Sequence, residues 1–477
     1  FQATLRASQI RCHLTVQQFP PGSQTFNQPP RSVHLERLCA RPKAYRETAW
    51  QGVRWPICYS VRVVTARKVA WHEENNRVVV RYMGTKRHMA DPVRDTIVSL
   101  TGQGRAVDLF SGMGSVAESL RDTTSVVTND ALSFTASISR ARFTALQRSA
   151  DAVSTVSRLQ SIFKTRYAEL EAKYADQLAA EGSAIAGGRS SLQAYMQHAK
   201  HVANSAPHRR AARAAAVSST SHHYELASLY FSAGYLSLRQ AIEVDSIRAA
   251  IDCDDHLGDR DWLLGAWISA TSVLINAPGH TAQYLRPNSD SAHARIVRVW
   301  GRSVWDEFAE ALCNVSLVGS EEWRSGNSVY VGDALDLVSA GWLDDIGVVY
   351  ADPPYTKDQY SRYYHVYETL YRYDYPDASG MGRNRSDRFT TGFSLKSGVV
   401  ASFHDLCRNV ARMRVPLVVS YPSAGLLAAC ELTVADIAGE YFSEVETLSF
   451  NANHSTMGGS TGTSKKLATE NLYVCTL

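Results

Sequence analysis

The residues best suited to chemistry form one short run, Asp352-Pro353-Pro354-Tyr355, directly after the mostly apolar stretch 346–351. The stretch predicts a buried strand, and ligands of open α/β sheets bind where the strands end. Each proline lacks an N–H group and disfavours helix before it, so nearby carbonyls are free to accept hydrogen bonds. A carboxylate, free carbonyls and an aromatic ring at one point suit the binding of an amino group. A strand that ends in a proline turn with a surface tyrosine is the competing interpretation of this run alone.

A second pattern, typical of a strand, a turn and a helix, lies far upstream at 105–117. Its strand ends at Asp108, and Gly112 and Gly114 allow a tight turn in which the backbone approaches a ligand closely. The next predicted strand ends in Asp130, and an acid in this place commonly binds ribose hydroxyls. Dinucleotide-binding folds have G-x-G-x-x-G here, so the shorter glycine run favours a nucleoside cofactor without a pyrophosphate.

Together with the upstream run Tyr82-Met83-Gly84-Thr85-Lys86-Arg87, these patterns resemble the Dam-type adenine-N6 DNA methyltransferases. That family has the order YMGxKR, DLFxGxG, an inserted recognition region and DPPY, and all of these stand in the same order here. The resemblance covers roughly 80–135 and 327–477. It implies an α/β fold: a Rossmann-like methyltransferase domain with a mostly parallel sheet, and an inserted, mainly helical target-recognition domain.

The resemblance also implies a cofactor, S-adenosylmethionine, and roles for single residues. The residues implied in cofactor binding are Tyr82, Lys86, Asp108, Phe110, Ser111, Gly112, Gly114, Asp130, Asp333 and Asp352. The residues implied in catalysis, where they would hold the target base, are Asp352, Pro353 and Tyr355.

The implied reaction transfers a methyl group to the N6 amino group of adenine in a specific DNA sequence, after the base is flipped out. The adenine amino nitrogen is a poor nucleophile, so the Asp352 carboxylate and the Pro353 carbonyl would bind its hydrogens and direct its lone pair. The alternatives are an RNA adenine or cytosine-N4 methyltransferase, and a catalytically weak module that binds S-adenosylmethionine and DNA. Cytosine-5 methylation needs a cysteine after a proline, and the chain has no Pro-Cys pair.

Composition narrows the choice of partners and compartment. The net charge of +4 over 477 residues neither requires nor excludes nucleic acid. Eight cysteines without a C-x-x-C pair argue against structural zinc or a disulfide framework and favour a reducing cytoplasm. The longest apolar stretch, 262–277, is too short to span a bilayer. We expect double-stranded DNA and a restriction or phage-defence protein as partners, with no metal and no membrane. We expect the protein to be cytoplasmic and of bacterial or phage origin.

The motifs also divide the chain into regions. Residues 1–76 form an N-terminal extension of unknown role, 77–135 with 327–477 form the methyltransferase domain, and 136–326 form the helical insertion. Apolar residues at steps of three and four from Val153 to Leu178 predict one long helix. Further helices are predicted at 230–251 and 262–276, and a turn into another short helix at 278–285. Tyrosine-rich helix packing is predicted at 359–372, with the turn 356–361 close enough to the pocket to help hold the target base, and late strands are predicted at 416–421 and 470–475.

Basic residues cluster in two places. The stretch 182–224 contains no Asp or Glu, and the loop 381–389 begins with glycine and carries several arginines. A one-signed stretch suits a surface that faces phosphates, while a solvated linker or surface loop is the competing interpretation. The predicted DNA contacts are Arg209, Arg210, Arg213, Arg383, Arg385 and Arg388.

Overall fold

The computed structural model describes Val80 and residues 89–219, 223–341, 343–454 and 466–477. The predicted N-terminal extension and two predicted cofactor residues, Tyr82 and Lys86, lie outside these described residues. Within the described part of the chain, one large sheet carries helices on both faces. Further helices lie between the strands that are second and third in chain order.

The strands form a mostly parallel sheet. They are β1 (Arg105–Asp108), β2 (Val126–Asp130), β3 (Ser328–Val331), β4 (Ile346–Ala351), β5 (Ala378–Ser379), β6 (Asn384–Arg385), β7 (Leu417–Pro422), β8 (Glu444–His454) and β9 (Lys466–Thr476). Seven of them form one sheet in the order β3-β2-β1-β4-β7-β9-β8, and β5 with β6 forms a separate hairpin. The first five strands in that order run parallel, while β9 runs antiparallel to β7 and β8. This sheet confirms the predicted α/β, Rossmann-like class, and β7 and β9 contain the two predicted late strands.

The helices fall into three groups along the chain. Before and after β1 stand α1 (Ala90–Thr101) and α2 (Ser115–Ser119). Between β2 and β3 stand α3 (Ser133–Phe143), α4 (Ala152–Lys173), α5 (Ala175–Ala186), α6 (Gly188–His198), α7 (Ala206–Ser218), α8 (Leu226–Tyr230), α9 (Leu238–Asp252), α10 (Arg260–Leu274), α11 (Asp290–Trp300), α12 (Val304–Asn314) and α13 (Glu321–Ser325). After β3 stand α14 (Ala334–Ser339), α15 (Tyr360–Tyr363), α16 (His365–Arg372), α17 (Val399–Met413) and α18 (Val434–Ala438).

Both faces of the central strands are buried. Val107 and Val349 pack on one face with apolar residues of α14, α17 and α18. Val348 and Val418 pack on the other face with residues of α1. A strand that is covered on both sides needs a nearly continuous apolar sequence, which explains why 346–351 is mostly apolar. Polar side chains are then tolerated where the strand ends.

The helices between β2 and β3 differ from the prediction at several points. The predicted long helix is two helices, α4 and α5, because the chain turns at Tyr174 (φ −103°, ψ 18°). Tyr174 and Leu170 enter the same apolar core, so the apolar spacing runs through the break without showing it. The predicted helix at 230–251 is wrong in its first part, because 231–237 is irregular and α9 begins only at Leu238; 278–285 is irregular throughout. The helix predicted at 262–276 is confirmed as α10.

One apolar core joins these helices to the segment that follows the DPPY run. Tyr364 and Tyr367 are buried, and their rings lie 6.3 and 5.6 Å from the ring of Phe134 in α3. The expected tyrosine packing is therefore confirmed, in two short helices, α15 and α16, separated by one residue. The predicted domain boundary at 135/136 falls inside α3, which packs against both β2 and β3 of the sheet.

Candidate active site

The DPPY run begins where β4 ends, in the middle of the sheet. β4 lies between β1 and β7, and its last four residues are buried. Asp352 and Tyr355 are half-buried, while Pro353 is buried. The carbonyl of Tyr355 accepts a hydrogen bond from the Leu426 N–H (3.1 Å), which fixes the far end of the run. The sheet therefore holds the predicted catalytic residues at its carboxyl edge, as expected for ligand sites in such folds.

The glycine turn lies at the same edge, beside β4. The Leu109 N–H donates to the Tyr350 carbonyl (3.0 Å), and the Ser111 N–H donates to the Asn129 carbonyl (2.9 Å). Gly112 has φ 51°, a left-handed conformation that favours glycine. These bonds tie the turn after β1 to both neighbouring strands, so its shape follows from the sheet itself.

Gly114 is fixed by packing as well as by its backbone conformation. Its φ is 75°, and a Cβ atom there would overlap the ring of Phe143. Its N–H donates to the Ser111 carbonyl (2.7 Å), which closes the turn. Any larger residue would have to displace a buried ring in α3, so the turn needs glycine at this position.

Asp130, the acid at the end of β2, is joined to the glycine turn. One of its carboxylate oxygens accepts from the Gly112 N–H (2.9 Å) and the other from the Leu132 N–H (2.9 Å). Burial raises the pKa of this carboxyl, and the two N–H groups act in the opposite direction. Asp130 therefore shapes the turn, and each oxygen still has lone-pair capacity for a ligand hydroxyl.

Asp108, at the end of β1, is compensated less than Asp130, since the backbone hydrogen bond from Phe110 lowers its pKa but is outweighed by burial. Its side chain is 2 % exposed, and its Oδ1 atom has no hydrogen-bond partner among the described residues. Burial, and then the charges of Asp352 and Asp130, raise its pKa to about 8. Three carboxyl groups thus meet at one edge of the sheet. A cation placed among them would satisfy the open oxygen and stabilise the ionised form of Asp108.

Two further predicted cofactor residues lie at the ends of neighbouring elements. Asp333 follows β3 and caps α14, since its carboxylate accepts from the Leu335 N–H (2.9 Å). The ring of Phe110 meets that of Phe393 edge to face, with centroids 5.5 Å apart. Ser111 is buried in the turn. The structure therefore brings all the predicted cofactor residues that it describes to one edge.

Sequence reasoning placed the turn 356–361 near the pocket but gave Tyr360 no role of its own. Burial, then Tyr355 and then Asp352, raise its pKa well above the usual value of a phenol. Tyr355 and Asp352 thus both act on the Tyr360 hydroxyl. The spacing of the tyrosine-rich stretch did not distinguish Tyr360 from its neighbours.

Glu470 is a second group that sequence reasoning did not identify. This carboxylate on β9 is completely buried and accepts from the Ser420 hydroxyl (3.1 Å). Together with burial, Asp352 and Asp108, its charge raises the pKa of Tyr350. An acid inside a strand rarely signals burial, so only the fold reveals that Glu470 shares the face of the active-site carboxyls.

Two of the arginines predicted to contact DNA are interior residues. Arg383 and Arg385 are each 2 % exposed. Arg383 donates to the Ser232 carbonyl (3.2 Å), and Arg385 pairs with Asp374 (2.7 Å) and Asp387 (2.8 Å). These guanidinium groups already bind acceptors of the protein, so we correct their predicted role from DNA contact to internal support.

Arg209 needs the same correction. It is buried and donates to the carbonyls of Ala203 (3.0 Å) and Asn204 (2.9 Å), just before α7 begins. Its neighbours Arg210 and Arg213 are exposed on α7. They and the half-buried Arg388 have no hydrogen-bond or ion-pair partner within the described part of the chain. Three of the six arginines thus stay available to a ligand.

The described residues contain neither a metal-binding group nor a membrane-spanning helix. None of their His, Cys, Asp and Glu side chains form a group of three or more that could hold a metal ion. None of the helices in the described ranges is both long enough and apolar enough to cross a membrane.

Residues 330–409 match the family model of the D12 class N6 adenine-specific DNA methyltransferases. The matched range begins in β3 and includes Asp333, the whole DPPY run and Tyr360. This match, on a sheet with the site at its carboxyl edge, confirms the resemblance to adenine-N6 DNA methyltransferases. The Dam-type subgroup stays a prediction.

Three curated proteins are similar to parts of the chain. Modification methylase LlaI of Lactococcus lactis subsp. lactis is 37% identical over 119 residues, which cover 24% of this chain and 18% of that protein. Modification methylase StsI of Streptococcus sanguinis is 22% identical over 363 residues, 74% of this chain and 45% of that protein. Type II methyltransferase M.FokI of Planomicrobium okeanokoites is 26% identical over 204 residues, 42% and 28% respectively. The chain spans less than half the length of each of these relatives.

Proposed function

We propose that this chain transfers a methyl group from S-adenosylmethionine to the N6 amino group of adenine in double-stranded DNA. The observation that carries the proposal is the meeting of Asp352 and Asp108 at the carboxyl edge of the sheet, beside the glycine turn. One carboxylate stands in a DPPY run that suits an exocyclic amine, and the other is buried with an open oxygen. The D12 family match over 330–409 supports the same reaction.

The residues at the edge fit S-adenosylmethionine. This cofactor carries an ammonium group, a sulfonium centre and a ribose, so it is cationic where the protein gathers three carboxyls. Asp108 would bind the ammonium group, since its Oδ1 atom is buried and has no partner among the described residues. Ser111, Gly112 and Gly114 would allow close approach of the backbone. Phe110, Asp130 and Asp333 would hold the nucleoside part, and Tyr82 and Lys86 would cover it.

When bound, the cofactor supplies an electrophilic methyl group. The chain's own task is to present the adenine amino nitrogen to it in line. The Asp352 carboxylate and the Pro353 carbonyl would accept the two amino hydrogens and so direct the nitrogen lone pair away from the ring. Positioning and charge placement of this kind can supply most of the acceleration. Asp352 then takes up the proton that the methylated nitrogen releases.

The target base has to leave the duplex to reach this edge. Tyr355 and Tyr360 would form the walls of the pocket, since Tyr355 and Asp352 both contribute to the raised pKa of Tyr360. An aromatic wall accepts the face of a flipped base and replaces the stacking that the base loses. Pro354 lies between these two acceptors and the ring of Tyr355, and it keeps the run rigid.

For DNA binding we propose the three arginines that remain available. Arg210 and Arg213 on α7 and Arg388 after the β5–β6 hairpin would contact phosphates. The helices of 136–326 would form the target-recognition region. Because the similar proteins include modification methylases, we propose that a restriction or defence protein acts together with this chain. The proposed location is the cytoplasm, for a protein of bacterial or phage origin.

The test is direct. The full chain is incubated with S-adenosylmethionine and with a library of unmethylated DNA or of RNA, and the products are sequenced with detection of modified bases. N6-methyladenine at one short sequence is the expected result. N4-methylcytosine, or methylation of RNA in preference to DNA, would replace the proposed substrate. Binding of cofactor and DNA without any product would identify a catalytically weak recognition module.

A further inference from the structure

The loop between α10 and α11 is irregular but held by several buried hydrogen bonds. Thr281, which is completely buried, donates from its N–H (2.6 Å) and its hydroxyl (2.7 Å) to the carbonyl of Tyr363. Its own carbonyl accepts from the Tyr235 hydroxyl (2.6 Å) and from His365 Nε2 (2.7 Å). One residue of the loop thus contacts α15, α16 and the segment between α8 and α9.

On one side of Thr281 the loop reaches the wall of the proposed base pocket. The ring of His280 stacks on that of Tyr363, with centroids 4.8 Å apart and planes at 22°. Tyr363 in turn lies 6.3 Å, centroid to centroid, from Tyr360. Tyr360 is the residue influenced by Tyr355 and Asp352. Two rings, those of Tyr363 and Tyr360, therefore lie between His280 of the loop and the DPPY side chains.

On the other side of Thr281 the backbone stays fixed while two polar side chains are exposed. Tyr284 is buried, with its ring 5.3 Å from that of Tyr235, and the Leu285 N–H donates to the Asn276 carbonyl (3.0 Å). Between and after these anchors, Gln283 and Arg286 are exposed.

The two exposed side chains have little to hold them within the protein. Gln283 has no hydrogen-bond partner among the described residues. The guanidinium group of Arg286 contacts the sulfur of Met381, an exposed residue at the tip of the β5–β6 hairpin. A thioether is a weak acceptor, so this contact leaves the donors of Arg286 largely unused by the described residues.

We propose that Gln283 and Arg286 read base edges next to the target adenine, and so determine part of the recognition sequence. A glutamine amide matches the donor and acceptor of adenine, and a guanidinium group matches the two acceptors of guanine. Base readout needs side chains on a fixed backbone near the flipped base, and the 278–286 loop meets both conditions. Phosphate contacts such as those of α7 position the duplex without reading its sequence. This proposal rests on the proposed DNA methylation.

The experiment compares Gln283→Ala and Arg286→Ala with wild type on DNA in which the positions around the methylated adenine are randomised. Each variant should lose about tenfold of its discrimination at one position, while the slope of log affinity against log salt on unrelated DNA stays unchanged. Arg121→Ala is the matched control. It removes an exposed arginine between α2 and β2, at the opposite edge of the sheet, and should change neither quantity.

The outcomes separate this proposal from the proposed function. Wild type that makes no N6-methyladenine would refute the function itself. Wild type that methylates one sequence, with both variants keeping full discrimination, would refute only the role of the loop. A uniform loss of affinity on all sequences would also refute it, because it would make these side chains phosphate contacts. Arg286→Lys keeps the charge but loses the bidentate fork, and it should relax discrimination as Arg286→Ala does.

Discussion

The carboxyl edge of the sheet and the arginines of the helical region differ in how well their positions can be predicted from sequence. At the edge, Asp108, Asp130 and Asp352 each lie at the end of a strand or directly after it. Parallel pairing of adjacent strands brings them together. In the helical region, Arg209 and Arg210 are neighbours in sequence, yet one is buried and the other exposed. Position along a strand thus predicts a site, whereas charge alone does not predict a surface.

The reason lies in what each group can bind. A guanidinium group that suits a phosphate suits a backbone carbonyl or a carboxylate equally well. Arg383 and Arg385 satisfy such internal acceptors and support the β5–β6 region. The buried carboxyl of Asp108 accepts a hydrogen bond from the backbone of Phe110, but its Oδ1 atom has no partner among the described residues, so this open oxygen indicates a ligand. Substitutions in the two regions test whether this difference between them is real.

Asp352→Ala should reduce catalysis far more than it weakens binding. The lost carboxylate is one of two acceptors for the amino hydrogens, so we expect methyl transfer to fall at least a hundredfold, about 2.7 kcal/mol of transition-state stabilisation. Single-turnover methylation measures the step, with cofactor and DNA affinities measured in parallel. A loss of less than about tenfold, or loss of cofactor affinity alone, would contradict a catalytic role.

Gly112→Ala should weaken cofactor binding strongly, because the new methyl group lies in the turn that the cofactor approaches. Gly341→Ala is the matched control. Gly341 is also left-handed (φ 68°), lies before β4 at the other end of the strands, and has nothing within 4 Å of an added Cβ. Both variants should lose about 1 kcal/mol of stability from backbone strain.

Calorimetry of cofactor binding distinguishes the two glycine variants. We expect affinity to drop tenfold or more for Gly112→Ala and to stay unchanged for Gly341→Ala. Equal affinities for both variants would show that the glycine turn has no special relation to the cofactor.

Replacing both Arg210 and Arg213 with Ala should weaken binding to every DNA sequence by a similar factor. If both contact phosphates, the slope of log affinity against log salt should decrease by about two units. Arg385→Met is the contrasting variant, since it should lower the melting temperature and leave the slope unchanged. An unaltered slope in the double variant would show that α7 is a solvated surface helix.

Cofactor binding should release a proton from Asp108. Its pKa of about 8 means that the carboxyl is mostly protonated at neutral pH before binding. A cationic amino group beside it lowers the pKa, so the proton leaves on binding. The release should vanish as the pH rises above 8, where the free protein is already ionised. Calorimetry in buffers of different ionisation enthalpy measures it, and Asp108→Asn should remove it. A binding enthalpy that is independent of buffer at neutral pH would argue against this contact.

The sequence allowed the sheet edge to be predicted because its determinants are local. Apolar runs that end in Asp108 and Asp352, with glycines after the first, define strands, a turn and their relative order. Helix ends were harder, because the break at Tyr174 lies within an unbroken apolar spacing. The 278–286 loop could not be foreseen at all, since Thr281 is held by Tyr235, Tyr363 and His365 from distant parts of the chain.

The shared core of α3, α10 and α16 has a consequence for protein engineering. Exchange of recognition regions between related enzymes is attractive if the region is a separable cassette. Here Tyr364 and Tyr367, encoded after the catalytic motif, contribute their rings to the same core as Trp267 of α10. A chimera that takes only 136–326 from a donor would set foreign side chains against these rings. A workable cassette therefore needs two pieces of the donor gene, the second extending from α15 through the β5–β6 hairpin.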